Sequence, residues 1–486
     1  MIFSEKISLK KNVISNAIRT VLSFAFPLIT FPYISRILGP EGIGQFNFAN
    51  STISYFVILA SLGIPSYGVR EVARWRDDKI KLHTVVIELF SINIISSIIT
   101  YIILFFAILF IPKFSENSSL ITILSITILF TTLGMDWLFQ GLEQYVYITI
   151  RSIIFQLFSI IMLFIVVRNR SDVIPYAFLS VFASVGANVV NFLSIKKYFK
   201  GIGHLKLCIK QHLKPIFTFW GMSLATSLYI NLNTVLLGFF STTKAVGYYS
   251  TGLKIITLIR SIIGSFSGVL MPRSSYYIKN NENDKFWELV STAFQLLLCL
   301  ALPSIIGLIG LRKEIILIFA GSEFLPASNV IALLSFNILI VGISNIVGIQ
   351  ILIPLGKEKI TLYSVLFGSL IDICLSVILM PKLAETGAAI SLVFTELGIT
   401  LFQIITCKGI LKNFKNYLPN IKPYVIGSIG IILILFMCNR LISNISYKTI
   451  ICILLSIVEY FAVLYISKDK IILSILGRIN LHHRKS

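Results

Sequence analysis

Long apolar blocks alternate with short polar breaks along almost the whole chain. The blocks lie near 12–36, 45–67, 83–111, 119–139, 148–167, 173–195, 215–238, 246–270, 288–311, 325–353, 360–380, 386–406, 423–439 and 449–466. A helix needs about 20 mostly apolar residues to cross a bilayer, and each block supplies roughly that length. Strands of a membrane barrel are shorter and alternate apolar with polar positions, so unbroken apolarity excludes them. The pattern predicts an all-α, polytopic membrane protein with about fourteen transmembrane helices. The breaks leave no room for a soluble domain, the longest being a lysine-rich stretch near 196–214. Composition agrees, with 56% hydrophobic and 13% charged residues, where soluble domains carry about 25% charged residues.

A net charge of +21 invites a nucleic-acid partner, but its placement argues against one. With both termini cytoplasmic, 29 of the 42 Lys and Arg residues fall on cytoplasmic segments, 10 on the opposite side, and three inside helices. That asymmetry is what orients membrane helices, with positive loops inside. The surplus therefore reads as topology plus attraction to anionic lipid. The reading puts both ends in the cytoplasm of a bacterial inner membrane. The six cysteines form no CxxC pair and the five histidines no HxxxH spacing, so neither metal nor disulfide framework is expected. The first block follows Lys6, Lys10 and Lys11 and has no small-residue cleavage site, which suits a retained helix.

The chain repeats itself weakly. Gly44-Gln45-Phe46 and Gly247-Tyr248-Tyr249 open the second and eighth blocks, 203 residues apart, and the same offset takes Arg70 to Arg273. Gly141 and Gly356 are 215 apart, and Ala177 and Ala388 are 211 apart. Six helices separate the copies, so both have the same orientation, as in transporters built from parallel repeats. The expected architecture is an N-terminal lobe over 1–205 and a C-terminal lobe over 206–410, six helices each. A further segment over 411–486 holds two helices and a basic cytoplasmic tail.

Three cations lie where a membrane helix should avoid them: Arg19 in the first block, and Lys254 and Arg260 in the eighth. A charge at the bilayer centre costs roughly 2.5–3.5 kcal/mol on insertion scales, so such residues usually face a cavity or a partner. Arg19 is roughly 10 Å into its helix at 1.5 Å per residue, shallow enough to reach back to headgroups. Arg260 is near the midplane, where that escape is hardest. Lys254 and Arg260 are about 120° apart around their helix, so both can line only a wide cavity. Buried positive charge without catalytic machinery suggests a path for an anion. The embedded acids are Glu88, Asp372, Glu396 and Glu459. Asp372 and Glu396 are mid-helix; burial favours a protonated carboxyl, so either can couple transport to an ion, and either can instead sit in a packing ion pair. Asn188, Asn231 and Asn233 can meet sugar hydroxyls or bond between helices. Pro27 and Pro32 remove backbone bonds from the first helix and mark it as a gate that can bend. Gly39-Pro40 suits a tight turn after it.

Residues 33–50, Tyr-Ile-Ser-Arg-Ile-Leu-Gly-Pro-Glu-Gly-Ile-Gly-Gln-Phe-Asn-Phe-Ala-Asn, and 62–74, Leu-Gly-Ile-Pro-Ser-Tyr-Gly-Val-Arg-Glu-Val-Ala-Arg, carry a resemblance. So do Asp136-Trp137-Leu138-Phe139-Gln140-Gly141, the run Tyr248 to Lys254, and Leu355 to Lys359. The chain resembles the Wzx-type O-antigen and polysaccharide flippases of the multidrug/oligosaccharidyl-lipid/polysaccharide exporter superfamily. That resemblance implies a MATE-like fold and movement of an undecaprenyl-pyrophosphate-linked oligosaccharide to the outer leaflet. It implies no cofactor and no enzymatic reaction. Polysaccharide polymerase and chain-length proteins are the protein partners it suggests, besides membrane lipids. Arg19, Lys254 and Arg260 match in kind the cationic cavity of the related lipid II flippases. A multidrug or cation antiporter would share the fold. A membrane polymerase would be expected to present a large outer loop, which this chain lacks.

Overall fold

The computed structural model describes residues 9–195, 207–469 and 473. Within them every apolar block falls on helical backbone, and no strand occurs among the described residues. Among the described residues eight helices are long and apolar enough to cross a membrane, or nine if Val173–Val185 and Ala187–Ser194, bent by 43°, make one crossing. Two of the eight, Phe26–Trp75 and Glu358–Thr406, are 50 and 49 residues long, more than twice what one crossing needs. Each is interrupted inside rather than running straight. Gly39 takes φ 67° inside Leu9–Ser61, a left-handed value that glycine adopts without penalty. Ala384 takes φ 48° inside Glu358–Thr406, a value uncommon for a residue with a Cβ. The protein is an all-α, multi-pass membrane protein.

The helices are amphipathic in the reverse of the usual sense. On Lys79–Phe110, Ile98, Ile102, Phe105 and Leu109 form an exposed apolar stripe. The buried side of the same helix carries Glu88, Asn93, Ser96, Ser97 and Thr100. Those groups bond across helices: Asn93 Nδ2 donates to the Ala60 carbonyl at 2.8 Å, Ser96 Oγ to Leu59 at 2.9 Å, and Ser97 pairs with Thr132 at 2.6 Å. In lipid a polar side chain has no water to turn to, so helix interfaces are where such groups belong.

The chain divides into two compact units, Met1–Gly247 and Tyr248–Ser486. In the first, Leu9–Ser61 packs against Ser118–Gly134, Tyr145–Val166 and Lys210–Phe240. A core of Tyr67, Val72, Leu89, Trp137, Phe139 and Ile216 joins Ile64–Trp75 to its neighbours. In the second, Asn283–Gly310 and the hairpin Glu358–Thr406 hold Ala327–Leu334, Phe336–Asn345 and a π-helical stretch Ile346–Leu352. The last two helices, Lys422–Leu441 and Ile445–Ile466, pack on each other, the former also against Asn283–Gly310, around Tyr424, Ile431 and Tyr460.

One contact in the first unit gives the 203-residue offset a spatial meaning. A Cβ on Gly44 would lie 1.7 Å from the Thr243 carbonyl oxygen, and one on Gly247 would lie 2.0 Å from that of Pro40. The offset maps Pro40 onto Thr243 and Gly44 onto Gly247, so the contact is reciprocal. Glu41 and Lys244, related by the same offset, face each other at 3.9 Å. Only glycine permits this approach of two backbones. We expect Gly44→Ala to lower stability by about 1–3 kcal/mol, the cost of overpacking a tight contact. Gly221→Ala, which would meet nothing within 4 Å, should be neutral or slightly stabilising. Thermal unfolding of the two variants in the same detergent checks the difference.

Candidate functional site

Within the second unit, Arg260 on Thr243–Lys279 reaches Glu396 on the hairpin Glu358–Thr406. The Nη2 to Oε1 distance is 3.6 Å. The two ends of the pair differ in setting: the Glu396 side chain is 2% exposed and that of Arg260 23%. A buried carboxylate therefore anchors a guanidinium that is still open on one side. At 3.6 Å the pair is an ion pair without the short, fork-like geometry that makes arginine–carboxylate contacts strongest.

The rest of this region is polar seam rather than apolar core. Thr400 Oγ1 donates to the Ile340 carbonyl at 3.3 Å, and Ser344 Oγ to Gln403 Oε1 at 3.2 Å. Gln403 Nε2 in turn donates to Ser364 Oγ at 3.0 Å. The first two contacts set a parallel register in which Asn337, fully buried, comes level with Glu396. The third sets an antiparallel one, with Gly368 against Thr395 and Ile399. One turn on, it brings Asp372, 2% exposed, level with Thr395. Arg260, Glu396 and Asp372, far apart in sequence, thus share one depth in the second unit. The π-helical stretch Ile346–Leu352 lies farther along, with Gly348 against Gln403 and Thr361, and carries buried Gln350.

The other expected residues are placed as follows. Lys254 lies on the same helix as Arg260, six residues nearer its start, and is partly buried. Arg19 is on helical backbone, but its side chain lies outside the described residues. Backbone angles stay helical through Pro27 and Pro32, and the chain turns at Gly39 instead. Near the prolines, Thr30 Oγ1 donates to the Phe26 carbonyl at 3.0 Å and Arg36 Nη1 to that of Pro32 at 2.6 Å. Asn188 bonds between helices, to the Phe130 carbonyl at 3.0 Å, whereas Asn231 bonds to Ser227 on its own helix at 3.3 Å.

Two buried polar networks hold the first unit. Arg151, 5% exposed, donates to Asp136 Oδ1 at 2.7 Å and to the Ala187 carbonyl at 3.0 Å. Asn191 donates to the same Asp136 oxygen at 2.8 Å. In the other, fully buried Glu88 meets His212 Nε2 at 2.7 Å, and His212 Nδ1 meets the Tyr67 hydroxyl at 2.7 Å. The backbone N–H of Cys208 also donates to Glu88.

Comparison with known proteins places this architecture. The profile of the polysaccharide biosynthesis protein family matches residues 9–278, more than half of the chain. The chain belongs to that family. It is 27% identical to the putative O-antigen transporter of Escherichia coli over 410 residues, 83% of this chain and 97% of the relative. Among solved structures it is similar to the lipid II flippase MurJ in an inward closed conformation. The TM-score is 0.72 at 19% identity, over 94% of this chain and all of that one. It is also similar to an inward-facing multidrug resistance MATE family transporter of the MOP superfamily, with a TM-score of 0.60 at 14% identity, over 83% of this chain and 99% of that one. The expected all-α, MATE-like fold therefore stands, and the family match agrees with the expected resemblance to polysaccharide exporters.

The two networks were outside the sequence reading of site residues, and each left a signal. Glu88 in an apolar helix needs a buried partner, and Tyr67 and Asp136 both sit in the stretches that resemble the family. Arg151 lies about one turn inside Tyr145–Val166, where hydropathy alone does not tell a flanking charge from a buried one. We expect Arg151→Met to leave Asp136 and Asn191 facing apolar surroundings and to destabilise by about 3–5 kcal/mol. Arg151→Lys should rescue only partly, because one ammonium does not reproduce a fork serving two acceptors. Thermal unfolding in detergent ranks the three proteins.

Proposed function

We propose that this chain is a flippase that moves undecaprenyl-pyrophosphate-linked oligosaccharide units across the bacterial inner membrane, for O-antigen or a related polysaccharide. The observation that carries the reading is Arg260: a partly exposed guanidinium on Thr243–Lys279, steadied by a buried acid. Pyrophosphate offers several oxygens to such a fork, and the contact strengthens where water is scarce. Arg19 and Lys254 extend the positive path, with arginine binding as a plane and lysine as a point charge. The names of the relatives, an O-antigen transporter and a lipid II flippase, support a glycan carried on lipid.

The mechanism in this reading is alternating access by lobes spanning 1–205 and 206–410, with 411–486 a peripheral addition. The polyprenyl tail stays in lipid while the charged head travels. Outward passage of an anion from a negative interior is downhill by about 2.3 kcal/mol per charge per 100 mV. Asp372 and Glu396 are the candidates for ion coupling, and Pro27 and Pro32 for gating. Both termini stay cytoplasmic, and polymerase and chain-length proteins receive the product. A cation exporter is less well supported, because Glu396, the acid such a substrate would need, is already matched by Arg260.

Cells lacking the protein should accumulate lipid-linked oligosaccharide on the cytoplasmic side, read by extraction and mass analysis; unchanged levels would remove the proposal. Arg260→Glu should abolish export while membrane insertion, followed by fractionation, stays normal. Replacing Pro27 and Pro32 together with Ala should slow export without reducing the amount of folded protein, and an unchanged rate would rule out gating by this helix.

A further inference from the structure

We propose that Glu396 is the internal counter-anion of Arg260, displaced by the anionic lipid head on binding and restored to the guanidinium to drive release. This rests on the reading of Arg260 as a head-binding residue and assigns the carboxylate a role distinct from carrying an ion.

Three features point to exchange. The first is the looseness of the pair: 3.6 Å lies beyond a normal charge-assisted hydrogen bond of about 2.7–2.9 Å. The second is its asymmetry. Glu396 is enclosed, on a helix that packs on Phe336–Asn345, while Arg260 is open on one side. A guanidinium carries five N–H donors, and one carboxylate can occupy at most two of them in fork geometry. An incoming diphosphate therefore has donors to begin on before the carboxylate lets go. The third is energetic. A buried carboxylate stripped of its cation is costly. That cost is charged against phosphate binding, lowering the affinity, and is recovered when the head departs.

A transporter needs this compromise. A bare arginine at the midplane would hold a diphosphate tightly and turn over slowly. A permanently neutralised one would not attract it. A tethered carboxylate supplies both states, and it supplies them identically in every cycle because it belongs to the protein. Competition of this kind is reciprocal: a change at Glu396 that weakens its hold on Arg260 tightens the anion, by up to the same factor.

The test uses purified full-length protein in detergent and farnesyl diphosphate as the probe. Glu396→Gln should bind the probe about tenfold more tightly than wild type, a typical coupling between competing ligands. Arg260→Gln should bind far more weakly, and the double variant should match Arg260→Gln alone. Export in cells carrying Glu396→Gln should fall although affinity rises. A merely structural role for Glu396 predicts lower affinity and lower melting temperature instead. Weak binding by Arg260→Gln with no tightening in Glu396→Gln would overturn the exchange and leave Arg260 as the head site. Unchanged binding in Arg260→Gln would overturn the underlying reading as well. If Glu396→Gln does not fold, Glu396→Asp withdraws the carboxylate by one methylene. It should tighten the probe to a lesser degree, and wild-type affinity there counts against the proposal.

Discussion

Everything in this fold follows from the absence of water around its helices. A polar side chain in lipid must find its partner within the protein, so the polar residues collect at helix interfaces and the isoleucines and phenylalanines face outward. Lys79–Phe110 shows both halves of that rule on one helix: Glu88, Asn93 and Ser96 inside, Ile98, Ile102 and Phe105 outside. The same constraint makes a partly exposed arginine at Thr243–Lys279 conspicuous. Arg151 is enclosed by Asp136, Asn191 and a carbonyl, and its job is to join helices. Arg260 has a buried acid on one side and accessible space on the other.

That contrast separates structural from functional charge. Glu88, His212 and Tyr67 form a closed chain of short contacts at 2.7 Å, a geometry that leaves little reason to open. The seam through Ser344, Gln403 and Ser364 is similar in kind, joining the two halves of the hairpin to Phe336–Asn345. The Arg260–Glu396 pair is longer and more exposed, as expected of a contact that must break and re-form.

The all-helical character of the chain is legible in the sequence because twenty apolar residues have few other uses. So is the Gly39 turn, since Gly-Pro after a long helix has a direct conformational meaning. The embedded acids are legible as anomalies but not as partners. Glu396 and Arg260 are 136 residues apart, and only the folded chain reveals that their side chains meet. Arg151 is silent in the sequence for a related reason: hydropathy sees a charge near a helix end, while its burial depends on Asp136 in a different helix. The reciprocal Gly44–Gly247 contact shows the reverse case, in which a weak repeat in the sequence acquires meaning once the two glycines are seen to touch.

The most direct test of the account is a leaflet assay. Purified protein would be reconstituted in vesicles containing a fluorescent polyprenyl-pyrophosphate oligosaccharide, and a membrane-impermeant quencher would report the label reaching the outer leaflet. The account predicts that label from the inner leaflet becomes accessible faster than in protein-free vesicles, and that Arg260→Gln removes the difference. Accessibility at the protein-free rate, or acceleration indifferent to Arg260, would contradict it.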